Sequence, residues 1–383
     1  MKGGYRIVDA DTHVGPNMET LQQFAGPRLR ERWPELEPYM QPVTLGGHQL
    51  SIEPIRYKRR MGESYTGDEA VKGGVSPLKG SVSKDMEVPA ADEVNNLNSA
   101  GRLADMDREG ADVHLIIPAT FALAVSALDV ELALEIYAAY HRYIAAYCEA
   151  DPSRLKGTLL VSGADPEQGA AEVRRLTDEP WLSAVTVVLP EGLPVDDPSL
   201  HPLWEAMDGN DLPILHHSFF YEPPYFPGAR DVWGNVVVAR AAAHVWGAER
   251  LVAYLTLSGL FDRYSNLRIG FAECSAAWLP SWLSRLQGQA DYMANALPKL
   301  ERTPLEYAQD GRIYCGIELY EGAAMARSVI ELVGDGVLMF SSDYPHNQCE
   351  FPRSPDIVLG WEGIEPDAMA KLLAGNAERF LRM

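Results

Sequence analysis

Short apolar runs alternate along this chain with longer segments of helical periodicity. Each run is rich in Val, Ile and Leu and is bounded by turn residues, a pattern typical of strands that are buried on both faces. The predicted strands cover residues 5–9, 113–118, 155–162, 184–189, 212–216, 267–272, 313–317 and 337–341. The predicted helices cover residues 128–150, 167–176, 198–210, 236–261, 278–296, 322–333 and 368–381.

This alternation predicts an α/β fold of the (β/α)8 TIM-barrel type, with the whole chain, residues 1–383, as one domain. A doubly wound open sheet is the alternative architecture. Neither a G-x-G-x-x-G nor a G-x-x-x-x-G-K-[ST] motif follows a predicted strand. The sequence therefore gives no support to a nucleotide-binding fold.

One long segment interrupts the alternation. Residues 15–97 follow strand one, are rich in Gly and Pro, and contain only short helical patterns, such as residues 18–33 before Pro34. A connection of this length inside a barrel is usually functional. Because it follows a strand, we expect it to form an insertion or lid on the catalytic face of the barrel.

Carboxylates and imidazoles lie where four of the predicted strands end. Functional residues of such barrels lie at the carboxyl ends of the strands, so we expect these side chains to meet at one rim. Carboxylate oxygens and neutral imidazoles bind divalent ions such as Zn²⁺ or Mn²⁺. The residues are Asp11 and His13 after strand one, His216 and His217 at the end of strand five, Glu273 after strand six, and Asp343 and His346 after strand eight.

Asp11 and His13 are separated by one residue. In an extended segment, side chains at i and i+2 point to the same side, so both can reach one ion. A capping Asp and a surface His are the alternative interpretation of so short a motif. The presence of His217 and Asp343 at later strand ends favours a site for one divalent metal.

The composition limits the classes of molecule that we expect the protein to bind. The chain has 33 Lys and Arg against 54 Asp and Glu, a net charge of −21, which argues against nucleic acid or an anionic membrane as a partner. The four cysteines are far apart in the sequence, and the apolar stretches carry charges. We therefore expect a cytoplasmic protein without disulfides or a membrane span, acting on a small-molecule substrate.

Several motifs together resemble the amidohydrolase superfamily. The similarity is to the branch that contains aminocarboxymuconate-semialdehyde decarboxylase and related aromatic-acid decarboxylases, and it covers nearly the whole chain. It implies a (β/α)8 barrel with one catalytic divalent metal, and it suggests a homodimer. The motifs are DADTHV, RLADMDREGADVHLIIP, LPILHHS, GFAECSAAWLP, SSDYPH and GNAERFL.

The resemblance assigns roles to individual positions. The metal-binding acidic-x-His pair of the family corresponds to Asp11 and His13. The family's metal-binding His, four residues after a Pro, corresponds to His217, counted from Pro213. The Asp that contacts the metal and its bound water corresponds to Asp343. His216 ranks second to His217, because it points the other way if the strand continues.

The sequence departs from the family on strand six. The decarboxylases have a His there that acts as an acid or base, whereas this chain has Glu273. A buried Glu with a raised pKa can also transfer protons. The alternative is a hydrogen bond from Glu273 to a metal-bound His. His346 offers an imidazole instead, unless it is a loop His satisfied by backbone groups.

Two segments predict a substrate pocket. The stretch after strand five contains Phe219 and Tyr221, which with His216 suit a ring-containing or apolar substrate, although packing against the insertion is the alternative. Residues 41–85 carry seven basic and five acidic side chains, a net charge of +2. Arg59 in that segment is a candidate clamp for a substrate carboxylate, and a solvated basic loop is the alternative.

These features predict a metal-dependent hydrolase that cleaves a C–N, C–O or C–C bond with a metal-activated water. Asp343 would accept the proton of the water, and Glu273 or His346 would protonate the leaving group. The alternative is non-oxidative decarboxylation of an aromatic or unsaturated acid. A hydratase and a metal-binding barrel without catalysis are more remote alternatives.

Overall fold

The architecture is known from a computed structural model that describes residues 1–42, 47–50, 98–118, 129–190, 192–217, 236–346 and 349–383. The strands are β1 (Val8–Val14), β2 (Met40–Pro42), β3 (His48–Leu50), β4 (Val113–Pro118), β5 (Leu155–Ser162), β6 (Leu182–Val188), β7 (Ile214–His217), β8 (Ile269–Ala272), β9 (Ile313–Ile317) and β10 (Leu338–Phe340). Among these residues, eight strands form one parallel sheet in the order β1-β4-β5-β6-β7-β8-β9-β10. The predicted α/β barrel is therefore confirmed.

Main-chain hydrogen bonds join the two ends of the sheet. The N–H of His13 donates to the carbonyl of Tyr344 at 2.7 Å, and the N–H of Asp343 donates to the carbonyl of Asp11 at 3.0 Å. These bonds connect β1 to the segment that follows β10. The sheet thereby closes into a nearly complete barrel. The segment that carries Asp11 and His13 then lies next to the segment that carries Asp343.

Helices between the strands pack on the outside of the sheet, as the periodicity predicted. The α-helices are α1 (Met18–Gln23), α2 (Pro27–Arg32), α3 (Ser99–Glu109), α4 (Val130–Cys148), α5 (Pro166–Leu176), α6 (His201–Gly209), α7 (Val236–Leu257), α8 (Leu260–Arg263), α9 (Leu279–Tyr292), α10 (Pro304–Gln309), α11 (Gly322–Leu332), α12 (Ser354–Leu359), α13 (Pro366–Ala370) and α14 (Asn376–Leu381). Short 3₁₀ turns cover Trp33–Glu35, Glu37–Tyr39, Pro198–Leu200, Ala294–Ala296 and Leu319–Glu321.

Three predicted helices are broken in the structure. The predicted helix 18–33 consists of α1 and α2, because Gly26 and Pro27 begin a new helix there. The helix 236–261 ends at Leu257, since Gly259 adopts a left-handed conformation with φ of 80°. The helix 368–381 contains a π-helical turn, Lys371–Gly375, between α13 and α14. The pattern of hydrophobic residues does not predict these interruptions, because they depend on local backbone conformation.

The first strand extends further than predicted. Residues 5–9 were expected, whereas β1 covers Val8–Val14, and every residue of it is buried. The polar residues Asp11, Thr12 and His13 are therefore part of the strand and do not follow it. A prediction based on hydrophobic residues ends the strand too early here, because the candidate site buries polar side chains at its carboxyl end.

Side chains of α14 and the preceding turn close the amino-terminal end of the barrel. Phe380 packs on Tyr314 of β9 with ring centroids 5.3 Å apart. It belongs to the same buried cluster as interior residues such as Val8, Leu115 and Met339. A larger cluster fills the layer between the sheet and the helices. With one end packed by apolar side chains, polar chemistry is confined to the opposite, carboxyl-terminal rim.

Two further features concern the cysteines and the helices. The four cysteines are buried and free, so none of them forms a disulfide. Among the helices that the structure describes, none combines the length and the apolar character that crossing a bilayer requires. Within the predicted insertion, residues 15–42 and 47–50 are described and include the antiparallel pair β2 and β3.

Candidate metal centre

A bulge in β1 turns two candidate ligands into the barrel. β1 has one more residue than β4 between two of its paired positions, Asp9 and Thr12. An extra residue reverses the face that the following side chains take. Val8 before the shift lies in the interior cluster, and the bulge places Asp11 and His13 on the interior side as well. Both side chains are buried.

The predicted ligands converge at the carboxyl ends of β1, β7 and β10. Nε2 of His13 lies 3.0 Å from Oδ1 of Asp11 and 3.0 Å from Oδ1 of Asp343. Nε2 of His217 lies 3.9 Å from the same oxygen of Asp11. The ligand atoms of Asp11, His13 and His217 all lie within 4.8 Å of one another. These residues form a His/Asp site that is capable of binding one divalent metal ion.

The hydrogen bonding of this group fits a cation. Within the described residues, Oδ1 of Asp11 and Nε2 of His13 are buried and make no hydrogen bond of normal geometry. The other Asp11 oxygen accepts a hydrogen bond from Oγ of Ser341 at 3.2 Å. Buried polar atoms are rarely left without partners, and a metal ion satisfies both a carboxylate oxygen and an imidazole nitrogen. The donor set suits Zn²⁺ or Mn²⁺.

The electrostatics of His13 show how strongly the site attracts positive charge. Burial alone would lower the pKa of His13, but the two carboxylates of Asp11 and Asp343 beside its Nε2 atom raise it to about 10. The imidazole thus has two carboxylates against its Nε2 atom. A divalent cation between the same three side chains would replace that proton.

Asp343 and His346 form a hydrogen-bonded pair beside the ligands. Nδ1 of His346 lies 2.6 Å from Oδ1 of Asp343, and its ring stacks on that of His13 with centroids 4.3 Å apart. Although burial acts to raise it, the imidazole of His346 helps to hold the pKa of Asp343 below its usual value. The His346 side chain is 40% exposed. It therefore connects a buried carboxylate to the solvent side of the site.

Glu273 approaches the ligand group directly. Its Oε2 atom lies 3.1 Å from Nε2 of His217, the nitrogen that also faces Asp11. Its main-chain carbonyl accepts a hydrogen bond from Nδ1 of His244 at 3.0 Å. The residue adopts a left-handed conformation with φ of 50°, unusual for a non-glycine residue. The predicted acid or base therefore faces the place where an ion would bind. Its catalytic role stays a prediction.

Glu318 is a site residue that the sequence reasoning missed. It follows β9 directly and is only 4% exposed. Its Oε1 atom has no hydrogen-bond partner within the described residues. Burial, together with nearby carboxylates such as Asp11 and Asp343, raises the pKa of Glu318 well above its usual value. The rule that selected Glu273, a carboxylate directly after a strand, applies equally to Glu318.

Arg102 on α3 was also missed, because strand-end reasoning does not reach helix residues. The residue is 2% exposed. It donates to Oγ1 of Thr12 at 3.1 Å and to the main-chain carbonyl of His13. It also lies over the ring of Tyr344, 5.0 Å from the centroid. Arg102 thus bonds to the strand that carries two ligands and packs on the residue after Asp343.

The predicted substrate contacts are outside this group or outside the described residues. His216 packs edge-to-face on Phe271, with centroids 5.8 Å apart, so the structure does not bring it to the ligands. Burial, assisted by the charge of Arg250, lowers the pKa of His216 to about 3. Phe219, Tyr221 and Arg59 lie outside the described residues. All four stay predictions as substrate contacts.

The amidohydrolase family model matches residues 8–383. This chain belongs to the amidohydrolase family. The match covers every strand of the barrel and all the residues of the metal centre. Among proteins with curated functions, none matches the sequence. Family membership and the buried His/Asp site together support an enzyme.

Solved structures share the fold over the whole chain. A 5-carboxyvanillate decarboxylase from Sphingomonas paucimobilis is 22% identical, with a TM-score of 0.68 over 99% of this chain and 100% of that one. An amidohydrolase from Mycobacterium avium is 16% identical, with a TM-score of 0.73 over 99% and 98%. A dihydroxybenzoic acid decarboxylase from Polaromonas, with bound manganese and 2-nitroresorcinol, is 19% identical, with a TM-score of 0.64 over 99% and 97%.

Proposed function

We propose that this amidohydrolase-family protein is a metal-dependent hydrolase of a small molecule. The observation that carries the proposal is the clustering of Asp11, His13 and His217, whose ligand atoms lie within 4.8 Å of one another, with Asp343 3.0 Å from His13, at the carboxyl-terminal rim of the barrel. In such folds the catalytic residues come from the ends of several different strands. A bound divalent ion would lower the pKa of a bound water and polarise an oxygen of the substrate.

The chain's own residues supply the proton transfers. Asp343 accepts a proton from the nucleophilic water, because its pKa is held below the usual value and it is ionised at neutral pH. His346, hydrogen-bonded to Asp343 and partly exposed, passes a proton to the leaving group. Glu273, whose Oε2 atom lies 3.1 Å from Nε2 of His217, is the second candidate for that transfer. The scissile bond is C–N, C–O or C–C.

A second candidate is non-oxidative decarboxylation of an aromatic or unsaturated acid. The similar structures from Sphingomonas and Polaromonas are decarboxylases, and the latter has manganese bound. In this reaction His346 or Glu273 would protonate the carbon from which CO₂ leaves. The Glu at position 273, where the decarboxylases that this sequence resembles have a His, favours hydrolysis over this alternative.

The proposed substrate is small, and aromatic or carboxylate-bearing. Phe219, Tyr221 and His216 would contact its ring, and Arg59 would bind a carboxylate. The proposed metal is one Zn²⁺ or Mn²⁺ ion. We further propose that the protein is a homodimer and acts in the cytoplasm.

The experiment compares Asp343→Asn with Asp335→Asn. Asp335 is partly exposed, pairs with Lys371 at 2.7 Å and precedes β10, so it lies near the opposite end of the barrel. Metal-loaded proteins are assayed against amides, lactones and aromatic acids, with detection of CO₂. We expect hydrolysis by the wild type and Asp335→Asn, and a loss of at least about 100-fold in kcat for Asp343→Asn.

Steady release of CO₂ from an aromatic acid, without hydrolysis, would replace the first function by the second. Equal activity of Asp343→Asn and the wild type on every substrate that the wild type converts would overturn both. Failure of the wild type to bind Zn²⁺ or Mn²⁺ at all would remove the metal centre from which the proposal starts.

A further inference from the structure

Glu318 continues the interior face of β9 directly after the strand ends. Along β9, Tyr314 belongs to the interior cluster, whereas the residues on either side of it, Ile313 and Cys315, belong to the layer between the sheet and the helices. Glu318 keeps an extended backbone, with φ of −75° and ψ of 143°. Because side chains alternate between the two faces of an extended segment, Glu318 falls on the same face as Tyr314, inside the barrel.

The pairing of β9 with β10 places Glu318 level with the candidate metal centre. Ile317 pairs with Phe340, so the residues that follow them, Glu318 and Ser341, are neighbours across the two strands. Oγ of Ser341 donates to Oδ2 of Asp11 at 3.2 Å. Glu318 is not among the described residues whose donor atoms lie close enough to share one ion. It therefore faces the site without belonging to the ligand group.

The neighbouring main chain holds one end of the Glu318 carboxyl group. The N–H of Glu321 donates to one of its oxygens, and the N–H of Glu318 donates to Oε2 of Glu321 at 2.9 Å. The Glu321 carboxylate also accepts hydrogen bonds from the N–H groups of Ala276 and Ala277 after β8. The other oxygen of Glu318, Oε1, is buried and has no hydrogen-bond partner within the described residues. Because buried polar atoms rarely lack a partner, Oε1 is available to a bound molecule.

The surroundings of Glu318 favour a neutral carboxyl group. The charges that act on it most are all negative and belong to Asp11, Asp343, Glu273 and Glu321. A buried carboxylate without a positive partner is costly, so such a group keeps its proton. Burial is the main cause that raises the pKa of Glu318, and it persists when an ion offsets the charges of its own ligands. A protonated carboxyl group has one O–H donor.

We propose that Glu318 binds the substrate by donating a hydrogen bond from Oε1 to a carbonyl or carboxylate oxygen. This inference rests on the proposed function and names the group that the site takes on its substrate. A fixed donor in a buried site stabilises an oxygen that gains negative charge during the reaction. A molecule without such an oxygen leaves the buried O–H unpaired and is disfavoured. Glu318 keeps its proton throughout.

Two variants at this position separate hydrogen-bond donation from packing. Glu318→Gln has nearly the same shape and offers an N–H donor in place of the O–H, whereas Glu318→Leu fills the space without a donor. Glu318→Met serves if the Leu variant does not fold. Glu109→Gln is the matched control, because Glu109 is also a buried carboxyl group and lies outside the candidate site. Thermal unfolding and Mn²⁺ affinity establish that each variant keeps its fold and its metal centre.

Infrared spectroscopy tests the protonation state without any substrate. A protonated carboxyl group has a C=O stretching band that a carboxylate lacks. In the metal-loaded protein at neutral pH, we expect Glu318→Gln to remove one such band that Glu109→Gln retains. If Glu318→Gln removes no band of this kind, Glu318 is ionised and cannot donate, and the inference fails while the proposed hydrolase stands.

Kinetics test the contact with the substrate. The probes are acetanilide, dihydrocoumarin and 2,6-dihydroxybenzoate, an amide, a lactone and an aromatic acid. For each probe that the wild type converts, we expect Glu318→Leu to lower kcat/KM at least about 100-fold, and Glu318→Gln to lower it less than about tenfold. Glu109→Gln should match the wild type.

The outcomes separate this inference from the proposed function. Equal kcat/KM values for Glu318→Leu and Glu109→Gln, with an active wild type, would overturn the inference alone. A folded, metal-binding Glu318→Gln that is as impaired as Glu318→Leu would show that the negative charge matters and not the donor, which overturns it as well. A wild type that converts none of the three probes would contradict the proposed function, and this inference would fail with it.

Discussion

Individual buried carboxyl groups occur in two different environments in this protein. At the barrel rim, Asp11 and Asp343 lie beside imidazoles in a candidate cation site, and Glu318 lies near both carboxylates. Glu109, at the end of α3, is 1% exposed and away from that group. Burial is the main cause that raises the pKa of Glu109 to about 7. A group with such a shift makes the stability of the fold depend on pH.

We predict that Glu109→Gln flattens that dependence. The folded-state pKa of Glu109, about 7, lies above its usual value of 4.5, so its protonated form contributes stability below pH 4.5. That stability is lost as pH rises through about 7, because the unfolded chain ionises first. The wild type should therefore lose on the order of 2 kcal/mol more than the variant between about pH 5 and pH 8.

Urea unfolding of both proteins across this range measures the difference. Because each protein is compared with itself at two pH values, the cost of burying the Gln amide cancels. Glu35→Gln is the control, since Glu35 is exposed and pairs with Arg32. Parallel stability curves for the wild type and Glu109→Gln would contradict the prediction.

The ligands of the metal centre could be predicted from the sequence because two simple rules select them. The i, i+2 spacing of Asp11 and His13 and the position of His217 and Asp343 at strand ends are visible in the chain itself. The bulge that turns the first pair inward is a property of strand pairing and leaves no local signal. Arg102 could not be found in this way, because its contacts are made across the fold.

At the scale of elements, Arg102 links α3 to β1. A buried guanidinium that donates to Thr12 and to the carbonyl of His13 satisfies groups that no water reaches. Lys cannot reproduce this, because its single ammonium lacks the planar set of donors. α3 therefore contributes to the geometry of β1 through one side chain.

We predict that Arg102→Met lowers the free energy of unfolding of the metal-free protein by about 2–4 kcal/mol, because it leaves buried acceptors unpaired. Arg102→Lys should recover only part of the loss. Arg174→Met, at an exposed position of α5, should change stability by less than about 0.5 kcal/mol. Denaturant unfolding is the measurement. A wild-type stability for Arg102→Met would show that the guanidinium is dispensable to the fold.

The order of strands and helices could be predicted more reliably than their ends. Strands β4, β5 and β9 have the bounds expected from their apolar runs, because nothing but burial decides them. β1 does not, since its carboxyl end consists of polar site residues. The sequence also does not predict that α14 closes one end of the barrel. That closure depends on how the ring of Phe380 packs against strands that are distant in the sequence.

Packing between α14 and β8 gives a second prediction at this scale. A Cβ added to Gly270 would lie 2.6 Å from the ring of Phe380. Gly270→Ala should therefore cost about 1–3 kcal/mol, and Phe380→Leu in the same chain should recover part of it. Gly288→Ala on α9 is the control, because nothing lies within 4 Å of its added Cβ. Equal stabilities of the two alanine variants would contradict this account of the barrel end.

The charge of the whole molecule sets its response to salt. A net charge of −21 is spread over a chain in which residues 41–85 have the opposite sign. Many of the ion pairs in the described residues are exposed, such as Arg32 with Glu35 and Lys371 with Asp335. Exposed pairs contribute little to stability, so the repulsion among excess carboxylates is the larger electrostatic effect.

We therefore predict that salt stabilises the metal-free protein. Raising NaCl from about 10 mM to about 100 mM shortens the screening length from about 30 Å to about 10 Å, which weakens repulsion across the molecule more than contacts at 3 Å. The midpoint of urea unfolding should rise over this range, reach a plateau above about 0.3 M, and be the same in NaCl and KCl. Screening produces such a plateau, whereas an effect of salt on apolar hydration continues to grow with concentration. A midpoint that falls as salt is added would mean that attractive surface pairs outweigh the repulsion, and that the excess negative charge is already neutralised locally within the fold.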